Sequence, residues 1–487
     1  MSSESMPSTP QFKESAIPDL LRVGSIPSNQ SAMIDTDILE PVIFSESFIR
    51  FQLVNKGFLN PFSRITFQLE NISASSASNL RSTLPLNIGV HALISNATLK
   101  IGTKTICELA DYNYYQAYKS MFLSNETNKE REQYLSSRGI SHSQVYDAGA
   151  DTCNFIGLDN GKDYDESASG TTPGLTCRDL QLVNNGGVFS ITLEELFPLF
   201  KNTAFPLYML NSDMPVQVEL TLSSSTDGSR ISTNGDVVSA STVRTNLNVP
   251  MTINRNECRL IADYTTYDGN LMSAYANKNK NMTWTYMDYQ LTKTTLSSVQ
   301  ALNQVRNVGG AGRLVPRMFV SISQGTNGSL VGNGTPFNRI LNQYSAEANG
   351  ETGSAFGELV SNVKKNDKFL YPIDRQNTAL HFHGVADTEG MIPFISRDEY
   401  GRCGGRMTPN FYELNTQNAG LSGKFFHTAY KMPDGDRVNS RGLELHSQMK
   451  ALPATLDGVA VSYTSRAWIE CVKVATLQDG VFSCYFA

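Results

Sequence analysis

The feature that most constrains this chain is a proline-containing segment, residues 187–222, whose pattern predicts a strand, a short helix and a second strand. Residues 188–191 are mostly β-branched or aromatic, which favours a strand. Thr192 is a candidate N-cap, and Glu195 three positions later completes a capping box. The second strand is predicted from strictly alternating apolar residues, namely Val216, Val218, Leu220 and Leu222. A capped helix between two strands indicates a β-domain, and Glu195 belongs to the first turn of that helix, where negative charge is favourable.

Alternating apolar residues recur along most of the chain and predict half-buried strands. In FIRFQL (48–53) and RITFQL (64–69), apolar and polar residues alternate on either side of a turn-rich stretch, which predicts an antiparallel pair. Further strands are expected at 90–93, 97–101, 188–191, 216–222, 258–264, 284–286, 318–322, 459–463, 467–474 and 480–486.

Three other regions depart from the strand pattern. Residues 108–138 carry tyrosines at helical spacing and precede Gly139, so they are predicted to be a helix with an aromatic stripe packed in the core. A second helix is expected at 337–348. Residues 143–186 are rich in Gly, Asp and Ser and are predicted to be a long loop, a feature that usually carries a function or a contact.

The domain organisation follows from length and pattern. A chain of 487 residues is too long for one ordinary core. Short strands separated by long loops predict an all-β fold of two consecutive jelly-roll sandwiches, a double jelly roll, with short helices inserted between strands. The predicted units are a Ser/Pro-rich N-terminal arm at 1–40, a first jelly roll at 41–225, a connector at 226–255 and a second jelly roll at 256–487.

Composition argues against several functions. Charged residues make up 18% of the chain and the net charge is −6, which disfavours extensive or sequence-specific nucleic-acid binding. No apolar run is long enough to span a membrane, and the first residues lack a secretory pattern. Scattered cysteines without a CxxC pair predict free thiols in a reducing compartment. They are Cys107, Cys153, Cys177, Cys258, Cys403, Cys471 and Cys484.

The best candidate for enzymatic chemistry is His381-Phe382-His383, which we interpret as part of a strand. Two histidines at i and i+2 of a strand share one face, which suits a metal site in a barrel. The cupin family uses such a pair with a nearby glutamate, but Glu389 lies further away than in that motif, and Arg375 replaces its glycine. Two ordinary histidines are the simpler interpretation. A bicupin-like metalloenzyme using His381 and His383 is kept as an alternative.

Three further motifs match ligand sites only in part. The glycine-rich run 309–313 precedes a predicted strand, so it lacks the helix that would bind phosphate. The run 401–406 places two arginines in a glycine-rich turn that could contact a neighbour or a phosphate. Four acidic residues crowd one loop without the spacing of an EF-hand: Asp159, Asp163, Asp165 and Glu166. We therefore assign no catalytic, cofactor-binding or metal-binding residue, and we expect a protein that is not an enzyme.

Three features together give the chain a recognisable resemblance. They are the segment 193–200 leading to Phe205-Pro206-Leu207-Tyr208, the run 441–445 (RGLEL) before the closing strands, and a helix-interrupted first unit followed by a larger second one. Across residues 40–487 the chain resembles the double jelly-roll major capsid proteins of virophages and polinton-like viruses, relatives of the large eukaryotic DNA viruses.

This resemblance implies a structural role in a virion. Homotrimers would form pseudo-hexameric capsomers that tile an icosahedral shell around double-stranded DNA, assembled inside the host cell. The implied partners are neighbouring capsomers, penton proteins and minor capsid proteins, with the N-terminal arm as a possible tether to a neighbour or an inner membrane. A viral carbohydrate-binding β-sandwich is a further alternative, which would need an exposed aromatic platform.

Overall fold

A computed structural model shows two β-sandwiches that follow one another along the chain. It describes residues 32–71, 81–83, 89–119, 142–147, 152–157, 188–201, 204–223, 232–234, 251–296, 302–324, 360–375, 378–390, 425–432, 435–449, 455–456, 459–460 and 463–487. In these ranges antiparallel strands dominate, which confirms the predicted all-β class. None of the helices within them is both long and apolar enough to cross a lipid bilayer.

The first sandwich pairs a seven-stranded sheet with a five-stranded sheet. The larger sheet contains β1 (Met33–Leu39), β4 (Phe58–Leu59), β5 (Arg64–Asn71), β11 (Val188–Thr192), β12 (Phe205–Pro206), β15 (Met251–Ile253) and β16 (Arg259–Thr266). The smaller sheet contains β2 (Ile43–Phe44), β3 (Phe48–Leu53), β7 (Ile94–Ile101), β8 (Lys104–Ala110) and β13 (Val216–Leu222). In the smaller sheet β13 lies between β3 and β7, so strands far apart in sequence are direct neighbours.

The second sandwich pairs a five-stranded sheet with a four-stranded sheet. The first contains β17 (Asn281–Leu296), β19 (Arg317–Gln324), β22 (Phe425–Lys431), β26 (Tyr463–Gln478) and β27 (Val481–Phe486). The other contains β18 (Leu302–Gly309), β20 (Val360–Lys365), β21 (Lys368–Phe369) and β23 (Leu443–Met449). The long strands β17 and β26 pair along their full lengths.

Helices and small hairpins connect these strands. Within the described ranges the helices are α1 (Tyr112–Lys119), α2 (Leu193–Leu196), α3 (Gly269–Lys278) and α4 (Thr378–Glu389). Short 3-10 turns occupy Gly89–Leu93, Pro198–Phe200, Leu207–Met209 and Arg255–Glu257. Three two-stranded ladders pair β6 (Arg81–Thr83) with β14 (Ser232–Asn234), β9 (His142–Asp147) with β10 (Thr152–Gly157), and β24 (Thr455–Leu456) with β25 (Val459–Ala460).

The predicted alternation produces the core. In β3, Ile49, Phe51 and Leu53 are buried while the polar residues between them face outward. Burial of each such side chain contributes about 1.5–3 kcal/mol to the free energy of unfolding. The apolar cluster of the first sandwich continues into the second at Trp468 and Phe482. The two units are therefore joined by core packing as well as by the chain.

The segment 187–222 has the predicted order of strand, helix and strand. Helix α2 begins after Thr192, whose backbone N–H donates to the Glu195 carboxylate at 2.9 Å, as expected for a capping box. Leu193 and Leu196 are fully buried. The helix therefore closes one end of the core, and this prediction is confirmed.

Two predicted elements are wrong near the end of the smaller sheet. Residues 90–93 belong to a 3-10 turn and not to a strand. The predicted helix at 108–138 begins too early, because residues up to Ala110 form β8, and α1 begins at Tyr112. Pairing with β7 and burial of Ile106 favour the strand over local helix propensity. Residues 120–138 lie outside the described residues.

The region 143–186 contains structure that the loop prediction missed. Strands β9 and β10 form an antiparallel hairpin within it. The short apolar pairs at 145–146 and 155–156 were the available signal, but the surrounding Gly and Asp residues favoured a loop. The rest of this region and the helix expected at 337–348 lie outside the described residues.

The predicted boundaries of the arm, the two jelly rolls and the connector stay a prediction. The pairing of two strands suggests different boundaries. Strand β1 falls within the range assigned to the arm, yet it pairs with β16 of the same chain. Strand β16 falls within the range assigned to the second jelly roll, yet it pairs with β4 and β5 of the first. We propose that the first sandwich extends from about residue 33 to about residue 266.

Candidate functional site at the junction of the two sandwiches

The structure places His381 and His383 on helix α4, which corrects their assignment to a strand. Positions i and i+2 of a helix are about 200° apart around its axis, so the two rings point in different directions. His381 is buried with its Nδ1 2.9 Å from the hydroxyl of Thr428, whereas His383 is exposed. Short apolar runs do not distinguish a buried helix from a strand by period alone. This arrangement does not bring the pair to one metal ion.

The glycine-rich run 309–313 forms a turn that leads into β19, as the sequence predicted. Its Arg313 guanidinium lies over the Phe486 ring, 3.7 Å from the centroid, and donates to the Gln290 side-chain oxygen at 2.8 Å. Arg313 therefore packs the last strand against the sheet. The run 401–406 and the acidic loop at 159–166 lie outside the described residues. Among the described ranges, no group of three or more His, Cys, Asp or Glu side chains converges on one point.

A polar junction, which we define by β8 and α1 of the first sandwich and β17, β19 and β26 of the second, joins the two units. It begins at Asp111, the residue between β8 and α1, which has φ +50°, a left-handed conformation that Asp tolerates better than most residues. The Asp111 carboxylate is 2.6 Å from Arg466 and 2.5 Å from Lys293. Arg466 also lies over the ring of Tyr114, 3.6 Å from its centroid. One turn residue therefore holds two cations of the other sandwich.

A second group of contacts joins β8 to the face of β17 and β26. The Lys473 ammonium is 2.5 Å from Asp288 and donates to the carbonyl oxygen of Ile106 at 2.9 Å. The Tyr286 hydroxyl donates to the same carbonyl oxygen at 2.9 Å, and the Glu108 N–H donates to Asp288 at 3.2 Å. Burial raises the pKa of Asp288, while Lys473 opposes that rise. These side chains satisfy backbone groups of β8 that face the second sandwich.

The third group is an ionic network at the end of α1, in which the carboxylates are buried and the cations are partly exposed. The Lys119 ammonium donates to the Glu389 carboxylate at 2.9 Å, and the Tyr118 hydroxyl donates to it at 3.1 Å. Arg317 contacts both Glu389, at 3.4 Å, and Glu470, with which it forms a two-point ion pair. Burial lowers the pKa of Lys119, and Glu389 opposes the shift. Two cations thus balance two carboxylates, one of which comes from the last residue of α4.

Aromatic side chains surround this network. The Tyr115 hydroxyl donates to the Tyr289 hydroxyl at 2.7 Å, and Tyr289 in turn donates to Glu470 at 3.2 Å. Burial raises the pKa of Tyr115 and of Tyr289 well above the usual range. The Trp468 indole N–H donates to the Ala110 carbonyl oxygen at 3.0 Å. The aromatic stripe that the sequence assigned to the core therefore packs between the two sandwiches.

A cleft of about 450 Å³ opens at this junction. One wall comes from α1, α2 and the 3-10 turn that follows α2, and the other comes from β17 with Arg317, Glu389 and Glu470. The volume lies in the range of small-ligand and peptide sites. Trp284 lines the cleft, and its buried Nε1 donates to no acceptor among the described residues. All four members of the ionic network, Lys119, Arg317, Glu389 and Glu470, line this cleft.

Sequence reasoning missed the junction because its contacts join distant residues. Asp111 and Arg466 are 355 positions apart, and no local motif marks either of them. Charged residues at positions that should face a core were the available signal, for example Glu470, which is flanked by the apolar residues Ile469 and Cys471.

The described cysteines support the prediction of free thiols. Cys107, Cys258, Cys471 and Cys484 are all unpaired. Burial raises the pKa of Cys258 to about 12 and the pKa of Cys107 well above its usual value, which keeps both thiols protonated and poorly nucleophilic. Cys153 belongs to β10, and Cys177 and Cys403 lie outside the described residues.

Comparison with known proteins gives matches at the level of structure. No protein-family model and no curated protein matches the sequence. The fold is similar to the major capsid protein of mavirus (TM-score 0.52, 10% identity, covering 100% of this chain and 96% of that one). It is also similar to a chain in the cryo-EM structure of the Sputnik virophage (TM-score 0.57, 10% identity, 100% and 93% covered) and to the Faustovirus major capsid protein (TM-score 0.53, 8% identity, 93% and 92% covered). These similarities span both sandwiches, and the chain therefore has the double jelly-roll fold of viral capsid proteins.

Proposed function

We propose that this protein is a major capsid protein with a structural, non-enzymatic role in a virion. The observation that carries the proposal is the double jelly roll itself, which matches capsid proteins over more than nine-tenths of this chain and of each of theirs. The junction supports it, because buried ion pairs and shared core packing hold the two sandwiches as one building block.

We further propose that three copies form a pseudo-hexameric capsomer and that capsomers tile an icosahedral shell around double-stranded DNA. Neighbouring capsomers, penton proteins and minor capsid proteins are the proposed partners. In a cyclic trimer one surface patch of each copy contacts a different patch of the next copy, and exposed apolar patches often mark such surfaces. The edge strand β1 offers such a patch, because Ile34 and Ile38 are 72% and 59% exposed on the same side of the strand.

The bicupin alternative required two histidines on one face of a strand, and the structure does not have this geometry. His381 and His383 do not share a face, and Glu389, the third residue of that hypothesis, contacts Lys119 and Tyr118. The carbohydrate-binding alternative needs an exposed aromatic platform, whereas the aromatic residues of α1 are buried at the junction. The capsid role is therefore the function that the structure favours.

The test is the assembly state of the full-length protein. Light scattering coupled to size exclusion should give three times the chain mass of 53.6 kDa, and negative-stain images should show pseudo-hexagonal particles. The double variant Ile34→Lys/Ile38→Lys should weaken the trimer, whereas Val481→Lys, at a comparably exposed site on another strand, should leave it intact. A wild-type protein that stays monomeric at high concentration would overturn the proposal.

A further inference from the structure

The cleft at the junction exposes cations more than the carboxylates that balance them. Lys119 and Arg317 both line the cleft, and their side chains are 26% and 27% exposed. The side chains of Glu389 and Glu470 also line it, but they are only 9% and 2% exposed. A molecule that enters the cleft therefore reaches the two cations more readily than the two carboxylates.

Both cations keep hydrogen-bond donors that these carboxylates do not use. Among the described residues, the Arg317 guanidinium donates to Glu470 through Nε and Nη2 and to Glu389 through Nη1, which uses three of its five N–H groups. The Lys119 ammonium has three N–H groups, and it donates to the two oxygens of Glu389 at 2.9 and 3.1 Å. Because both cations contact Glu389, their remaining donors are candidates to bind one further anionic group together.

The positive charge of Lys119 is only partly compensated. Its ammonium lies 5.2 Å from the ring centroid of Phe319 and 5.6 Å from that of Tyr118, so aromatic rings replace part of its hydration. Partial burial lowers the pKa of Lys119 even though Glu389 opposes the shift. The attraction to Glu389 therefore does not offset the whole loss of hydration, and a second carboxylate beside the ammonium would be favourable.

The remaining lining of the cleft suits an uncharged apolar body. Apolar and aromatic side chains contribute to both walls: Leu109, Tyr115, Pro198, Leu199, Trp284 and Met287. The wall that contains α2 adds Glu194, Glu195 and Lys201, so the complete lining carries three cations and four carboxylates. This balance disfavours a ligand with several negative charges, such as a phosphate or a nucleic acid. The volume of about 450 Å³ is that of a small-molecule site.

We propose that the cleft binds a small amphipathic monocarboxylate, a molecule with one carboxylate and an uncharged apolar body. Its carboxylate accepts charge-assisted hydrogen bonds from Lys119 and Arg317, and its apolar body packs against side chains such as Leu199 and Trp284. Because the walls come from both sandwiches, the bound molecule strengthens the connection between them. This site goes beyond the proposed capsid role and does not depend on it.

The test is isothermal titration calorimetry of the full-length protein with two carboxylates of different body, 4-phenylbutyrate and octanoate. Each is compared with the neutral amide of the same shape, 4-phenylbutyramide or octanamide. At least one carboxylate should bind at one site per chain and about tenfold or more tightly than its amide, because hydrogen bonds to charged groups are the stronger ones. No saturable binding of either carboxylate, or equal affinity for acid and amide, would overturn the proposal.

A variant that fills the cleft locates the binding site. Thr285 is an exposed residue of β17 that lines the cleft, and Thr285→Trp should reduce the affinity for the carboxylate at least about tenfold by occupying its volume. Thr283 is exposed on the same face of the same strand but lies outside the lining, so Thr283→Trp is the matched control and should bind as wild type does. Unchanged affinity in Thr285→Trp, or equal losses in the two variants, would place binding elsewhere and contradict the proposal.

A second variant tests the role of the ammonium. Lys119→Gln should remove most of the preference for the carboxylate over its amide and leave the affinity for the amide close to that of wild type. An undiminished preference in a folded Lys119→Gln protein would contradict the assignment. If this variant does not fold, the two threonine variants decide the question, because they leave the ionic network intact. Trimer formation is measured separately by light scattering, so either proposal can fail without the other.

Discussion

The guanidinium of Arg466 lies 2.6 Å from the carboxylate of Asp111, although 355 positions separate the two residues in the chain. Their side chains are only 9% and 11% exposed, so this is a buried ion pair between the two sandwiches. Arg441 and Asp367 form a pair at the same 2.6 Å distance, but both side chains are more than half exposed. The chain thus contains a buried and an exposed version of one interaction.

This contrast predicts unequal costs for the same substitution. Asp111→Asn should lower the free energy of unfolding by about 3 kcal/mol, because it leaves the buried Arg466 cation without its carboxylate. Asn also tolerates the positive φ at this position, so the variant tests charge more than backbone strain. Asp367→Asn should cost less than about 0.5 kcal/mol. Urea denaturation measures both values, and equal losses would argue against the importance of the junction pair.

The junction tyrosines predict destabilisation at alkaline pH. Burial raises the pKa of Tyr115, Tyr118 and Tyr289 well above their ordinary value of 10.0. Above pH 10 the unfolded chain releases these protons while the folded chain keeps them, so the stability present below pH 10 falls as the pH rises. The lowered pKa of Lys119 has the opposite sign, but its effect ends near 10.5, the ordinary lysine value.

Ultraviolet absorbance of tyrosinate, followed with tryptophan fluorescence, checks this prediction. Ionisation of these tyrosines should coincide with unfolding, and Tyr289→Phe should reduce the absorbance change of that transition. Ionisation of all tyrosines near pH 10 in a protein that is still folded would contradict the burial that we describe.

Gly480 predicts a local steric requirement at the contact between the sandwiches. It has φ +81°, its carbonyl oxygen accepts from the Asn211 N–H at 2.9 Å, and an added Cβ would collide with the Asn211 side chain. Gly480→Ala should therefore cost more than the 1–2 kcal/mol expected from the left-handed conformation alone. Gly312, with φ +72° and no atom within 4 Å of an added Cβ, is the matched control. The midpoint temperature of thermal unfolding should be lower for Gly480→Ala than for Gly312→Ala. The reverse order would contradict the contact between Gly480 and Asn211.

The helical placement of the two histidines predicts different outcomes for them. His381→Ala should cost about 1–3 kcal/mol, because it leaves the buried Thr428 hydroxyl without this partner. His383→Ala should stay within about 0.5 kcal/mol, since its side chain is exposed. A shared metal site would instead give both variants the same loss, together with stabilisation of the wild type by added zinc in a thermal-shift measurement.

The sequence predicted those parts of the fold that depend on neighbouring residues. Alternation at Ile49 and Phe51 identified a strand, and Thr192 with Glu195 identified a helix start, because side-chain period and capping act within a few residues. The histidine pair was assigned to the wrong element because a short run has no reliable period. The resemblance to double jelly-roll proteins supplied the arrangement of the two units, which local patterns do not contain.

The junction was beyond local reasoning for a physical reason. Its stability arises when charges from Asp111 and Lys119 meet partners more than 180 positions away, and neither residue carries a mark of that pairing in its own neighbourhood. The alternation of apolar residues correctly identified β16 as a strand, but it was assigned to the wrong sandwich. The two-residue period indicates which face of a strand is buried, and it does not indicate which strand pairs with it.

The position of β16 in the first sheet has a consequence for synthesis on the ribosome. Strand β5 ends at Asn71, whereas its partner β16 is complete only at Thr266. At translation rates of roughly 5–20 residues per second, the ribosome needs about 10–40 s to add the intervening residues. During that interval the edge of β5 that will pair with β16 is unpaired and can pair with other nascent chains. A chain with this topology that is synthesised in many copies should therefore depend on chaperones early in translation.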